Sequence, residues 1–144
     1  MITRTNPPEV GYVDESTFTM LGGFSQVVRA DRTVYYSGIA PFVGAPPDFT
    51  VVGTGSMEEQ VVFCMDVLER CMASEGQSLD GLVAVTVYAT DMPALMATAE
   101  IFAKRFGGAA PPASTWVGVT ELAHPDQLVE ITATGVDLTP KDEA

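Results

Sequence analysis

At 144 residues the chain fits one domain, residues 1–144, with room for a real core. Its 47% hydrophobic and 18% charged residues are those of a globular protein. Nineteen acidic residues against seven basic ones give a formal net charge of -12. The cations are scattered from Arg4 to Lys141, so the surface repels phosphate backbones and anionic lipids, and neither nucleic acid nor a membrane is an expected partner.

The first 15 residues, with Pro7, Pro8 and Gly11, read as an extended lead-in. No charged leader with an apolar core opens the chain, and no apolar run approaches the roughly 18 residues of a membrane span, so the expected compartment is the cytoplasm. A short alternating segment, residues 16–20, precedes Gly22 and Gly23. Residues 24–29 and 33–40 are apolar runs separated by Ala30, Asp31 and Arg32, and predict a β-hairpin. Residues 41–55, interrupted by Pro and Gly, predict a long loop.

Ser56 opens the clearest helix, with Glu59 three positions after the capping serine. Its stripe is Met57, Val61, Cys64, Met65, Leu68, Cys71 and Met72, and Gly76 ends it. Cys64 and Cys71 stand seven positions apart, roughly 10 Å along one helix, too far for a mutual disulfide. Reduced core thiols fit a cytosolic protein. With a single histidine, His124, and no paired-cysteine motif, no metal site is expected.

Residues 82–90 predict a strand with Val83, Val85, Val87 and Ala89 on one face and Ala84, Thr86 and Tyr88 on the other. Asp91 caps a second helix carrying Pro93 in its first turn and Leu95, Met96, Ala99, Phe102, Ala103 and Phe106 as its stripe. Gly107 and Gly108 stop it. Residues 111–136 then read as two strands joined by a polar loop, a second hairpin. Residues 139–144 form a polar tail. The order β-β-α-β-α-β-β predicts one α+β domain, a mixed sheet of about six strands with two helices on one face.

In the last strand Leu128, Glu130, Thr132 and Thr134 alternate with Val129, Ile131 and Ala133. Glu130 is a carboxylate inside an otherwise uncharged strand. It is either a side chain facing water or a partly buried acid/base group in apolar surroundings. The face with Ala84, Thr86, Tyr88, Thr115, Glu130 and Thr132 is semi-apolar and has no helix left to cover it. Burial against another copy of the chain is therefore expected, with Glu130 near the seam.

Gly-Phe-Ser-Gln at 23–26, Tyr-Ser-Gly at 36–38 with Pro41, Gln60, Val-Tyr-Ala-Thr-Asp-Met at 87–92, Pro-Ala-Ser-Thr at 112–115 and Leu-Val-Glu-Ile at 128–131 stand in the order and spacing of the Rid family, also called YjgF/YER057c/UK114. The chain resembles that family from about residue 22 to 138. The resemblance implies a chorismate-mutase-like fold, a homotrimer with three inter-subunit clefts, and cofactor-free hydrolysis of reactive enamines and imines such as 2-aminoacrylate.

Carried over residue by residue, it makes Glu130 the group that positions the attacking water and Thr115 its catalytic companion. The substrate would meet Phe24, Ser37, Gly38, Ile39, Tyr88 and Ala113. Four positions depart from the family pattern. The carboxylate-binding arginine is Ala113, a cleft tyrosine is Phe24, a glutamine after Ser-Gly is Ile39, and a helical asparagine is Ala99. A methyl group cannot replace a bidentate guanidinium. The expected pocket keeps its acid/base group and lacks an anion receptor.

Phe24 serves either ligand contact or packing. Trp116 is expected in the core, and His124 in an exposed turn. Three functions remain open: acid/base chemistry on a small imine, enamine or tautomerisable intermediate, non-catalytic binding of a small molecule, and, disfavoured by the net charge, ribonuclease activity or inhibition of translation.

Overall fold

A computed structural model describes residues 1–10, 12, 22–44, 47–107 and 110–141. The alternating segment at 16–20, Gly108 and the last three residues of the tail lie outside them. A six-stranded sheet runs in the order β1-β2-β3-β8-β6-β7. Its strands are β1 (Ile2–Thr5), β2 (Val27–Ala30), β3 (Thr33–Ile39), β6 (Leu82–Ala89), β7 (Ala113–Gly118) and β8 (Val129–Val136). Residues Ile2–Thr5 of the lead-in are thus an edge strand, antiparallel to β2. The hairpin of β2 and β3 turns at Asp31, whose φ of 54° is of the kind that a tight two-residue turn requires. Within the long loop, β4 (Phe42–Val43) and β5 (Thr50–Val51) form a small antiparallel ribbon.

Helix α1 (Met57–Ser74) starts where the sequence places it, with the Ser56 hydroxyl accepting from the backbone N–H of Glu59. All seven residues of its predicted stripe are buried. They pack on Val34, Tyr36, Val85, Val87, Ile131 and Ala133 from the sheet. Each such fully buried apolar side chain contributes about 1.5–3 kcal/mol. Cys64 and Cys71 are both buried and unpaired.

The second helix is two pieces, α2 (Met92–Met96) and α3 (Ala99–Phe106). Asp91 caps the first by accepting from Ala94 N–H. The break falls at Thr98, a buried residue whose hydroxyl donates to the Leu95 carbonyl within one turn. It rotates the stripe, so Leu95 and Phe102 are buried while Met96, Ala99 and Ala103 face outward.

Strands β7 and β8 do not form the expected hairpin. β6 lies between them, parallel to β7 and antiparallel to β8. The α2–α3 connection supplies the long crossover that a parallel pair requires, and the final strand then enters between β3 and β6. Two bulges shift the faces. Leu82 and Ala84 pair with Gly135 and Thr134, which turns Val83 outward to 46% exposure. Tyr36 and Ile39 pair with Ala133 and Ile131, which inserts an extra residue into β3. The helices cover one face of the sheet. Val28, Tyr35, Thr134, Ala84 and Ala113 share a row on the other.

Candidate functional site

Glu130 is the one carboxylate in any described strand of the sheet. Alternation along β8 sends Val129, Ile131 and Ala133 under the helices and leaves Glu130, Thr132 and Thr134 half-buried on the open face. Glu130 pairs in register with Tyr88, and Tyr88 in turn with Val117. Across the other edge of β8 its carboxylate lies over Gly38. A Cβ at that glycine would fall 2.7 Å from Glu130 Oε2, so the β3 bulge accommodates the acid only because residue 38 has no side chain.

The bulge also corrects one expected ligand contact. Strict alternation puts Ile39 beside Tyr35 and Ser37, but the inserted residue turns it into the core, where it is fully buried. Ser37 borders the bulge, with its hydroxyl donating to the Ser25 carbonyl and its N–H to Gln26 O. Phe24 is 37% exposed and Tyr88 half-buried. Ala113 and Thr115 are exposed on β7.

Thr115 pairs in register with Thr86, which pairs with Thr132, two residues from Glu130. Two strand spacings and two residues along the strand separate Thr115 from Glu130 by about 12 Å within one chain. Glu130 and Gly38 are brought together, therefore, and Thr115 is held apart from them.

Two buried glutamines stand at the entry to β8, of which sequence reasoning named Gln60 only as part of the family pattern and did not single out Gln127. Gln60, on α1, donates through Nε2 to the Asp126 carbonyl at 2.9 Å and accepts from Leu128 N–H at 2.7 Å. Gln127, 1% exposed, donates through Nε2 to Val129 O at 3.1 Å and to Glu130 Oε1 at 3.3 Å, while its Oε1 accepts from Ala123 N–H. The available signal was a polar residue three positions before the carboxylate.

The surrounding groups stay neutral. Burial raises the Tyr12 phenol, opposed by its hydrogen bond to the Ala40 carbonyl, and the charge of Glu130 adds to the rise. Burial, then Glu130, likewise raises the Cys64 thiol, whose Sγ donates to Ile39 O. Neither offers an anionic nucleophile near neutrality.

Four of the seven cations are engaged elsewhere. Arg29 pairs with Asp137 at 2.7 Å and Glu75 at 3.2 Å, Arg105 with Asp66 and Glu69, and Lys104 with Glu100. Arg32 donates to the carbonyls of Asp137 and Thr139. Arg4 shares the row of Ala113, but five strand steps separate them, about 24 Å. Trp116 packs against Phe102 in the helix layer, with centroids 5.3 Å apart, as its side of β7 predicts. His124 is a partly exposed turn residue whose Nδ1 accepts from Asp126 N–H. No cluster of metal-binding side chains occurs among the described residues.

The model of the family described as Endoribonuclease L-PSP matches residues 15–136. The chain belongs to the Rid family. A RutC family protein of Pyrococcus horikoshii is 28% identical over 78% of this chain and 86% of its own length. Mitochondrial Mmf1 of Saccharomyces cerevisiae is 32% identical over 69% of this chain and 65% of its own. The crystal structure of yeast Mmf1 superposes with a TM-score of 0.78 over 95% of this chain and 99% of that one. The chloroplastic Reactive Intermediate Deaminase A of Arabidopsis thaliana is 26% identical over 67% of this chain and 50% of its own length.

The six-stranded mixed sheet with its helices on one face is therefore the Rid fold. Among its described residues, no helix is long and apolar enough to cross a membrane.

Proposed function

We propose that this Rid protein catalyses acid/base chemistry on a small imine or enamine that bears no carboxylate, in a cleft formed between copies of a homotrimer. The observation that carries the reading is Glu130 on the open face, aimed over Gly38 and held by Gln127, with no cation at position 113. The carboxylate takes a proton from water as the water oxygen attacks the imine carbon in its protonated, iminium form, which gives a neutral carbinolamine. Glu130 passes that proton to the carbinolamine nitrogen, and the carboxylate then takes the hydroxyl proton as the C–N bond breaks and hands it to the departing amine, so iminium and water become a carbonyl compound and ammonium or its amine equivalent.

The same group can move a proton between carbon and nitrogen in an enamine. Thr115 reaches the acid from a neighbouring copy, because within one chain the two stand too far apart. Phe24, Ser37, Tyr88 and Ala113 line the cleft and favour neutral, partly apolar ligands. The two buried free thiols fit a reducing compartment such as the cytoplasm.

The test is paired. Light scattering should return a trimer. Glu130→Gln should lower turnover of a neutral imine by about 10²–10⁴-fold. Turnover unchanged in Glu130→Gln would remove Glu130 from the chemistry, and trimers with no turnover in the wild type would leave a non-catalytic binder, a reading favoured by Ala113. The family description and the net charge of -12 pull in opposite directions on RNA, and the charge disfavours cleavage of a polyanion.

A further inference from the structure

We infer that Gln127 is a positioning residue that fixes which oxygen of Glu130 meets the substrate. The inference rests on Glu130 being the acid/base group proposed above. Gln127 is almost wholly buried, and a buried primary amide is costly unless its donors and acceptor are used. Here they are used, and asymmetrically. The carbonyl oxygen closes the 123–127 turn by accepting from Ala123 N–H at 3.1 Å. One donor direction goes to Val129 O in the strand itself, and the other to Glu130 Oε1 at 3.3 Å.

The loop cannot drift, because Gln60 pins the residues on either side of Gln127 to α1. A satisfied network of this kind specifies one geometry. It ties Oε1 to the loop and sends Oε2 across to the bulge at Gly38, whose missing Cβ leaves the space. The oxygen available for proton transfer is therefore Oε2, and the reacting atom sits on the β3 side of the acid. An apolar residue at 127 would leave the carboxylate free to rotate.

Two measurements test the role. In a 15N-edited spectrum of the intact protein, the Gln127 side-chain amide should shift with pH, and Glu130→Gln should abolish that shift. An unchanged titration in Glu130→Gln, or no titration in the wild type, would overturn the proposed contact whether or not the protein is an enzyme. In kinetics on a neutral imine, Gln127→Met should lower kcat by about 10–100-fold with KM within about threefold. Gln127→Glu keeps the acceptor for Ala123 N–H and serves as the second variant should the methionine change disturb the turn. Wild-type kcat in a folded Gln127→Met protein would overturn the positioning role.

Discussion

The two faces of the central sheet follow different rules. Under the helices nearly every position is apolar and packed against the stripe of α1, and of the buried polar groups those of Gln60, Thr98 and Gln127 are hydrogen-bonded while Gln26 Oε1 and the Tyr36 hydroxyl have no partner among the described residues. On the open face the side chains are mixed, from Arg4 and Val28 at one edge through Tyr35, Thr134 and Ala84 to Ala113 at the other, and one carboxylate stands among them. The contrast teaches that one side of β8 holds the fold together through Val129 and Ile131, while the other side is free to carry the chemistry proposed for Glu130.

Substitutions should separate the faces. The largest expected effect on folding comes from Leu68→Ala, which empties a fully buried position on α1 and should cost about 2–5 kcal/mol in urea unfolding. Next is Gln60→Ala, which removes the acceptor for Leu128 N–H and should cost about 1–3 kcal/mol, read by the same titration.

At the sheet's far end, Thr139 through its hydroxyl and N–H, and then Arg29, hold the Asp137 carboxyl well below the usual carboxylate range. A depressed folded-state value means that the contribution is complete above the ordinary carboxylate value of about 4 and is lost as pH falls through the depressed one. Asp137→Asn should therefore lower the urea midpoint at neutral pH, and the difference from wild type should disappear in strong acid.

The smallest expected effect on stability, within about 0.5 kcal/mol, is that of Ala113→Arg on the open face. Its effect on chemistry should be large, because a bidentate anchor would bring in 2-imino acids. Ammonia release from 2-aminoacrylate should rise in that variant. A stability change above 2 kcal/mol would show that position 113 is packed, and would blur the contrast between the faces.

Much of this was legible in the residues because local rules governed it. The capping serine, the stripe of α1 and the alternation of β8 each follow from nearest-neighbour geometry. What escaped depends on the partner strand. The bulge that buries Ile39 and seats Glu130 over Gly38 is a register shift against β8, and nothing in Tyr-Ser-Gly-Ile states it. The pairing of β6 with both β7 and β8 is likewise non-local, since the residues between β7 and β8 would serve a hairpin equally well. Thr98 broke the second helix through a side-chain bond that competes with the backbone. Gln127 looked like any loop residue until its amide was found against the carboxylate.

The most direct test compares two substrates on the wild-type protein under one set of conditions: a neutral imine and 2-aminoacrylate, each generated in place, with ammonia release followed for both. The account predicts that the neutral imine is hydrolysed and that 2-aminoacrylate decays at its spontaneous rate. Faster hydrolysis of 2-aminoacrylate would mean that a cation reaches the Glu130 site, and would contradict it.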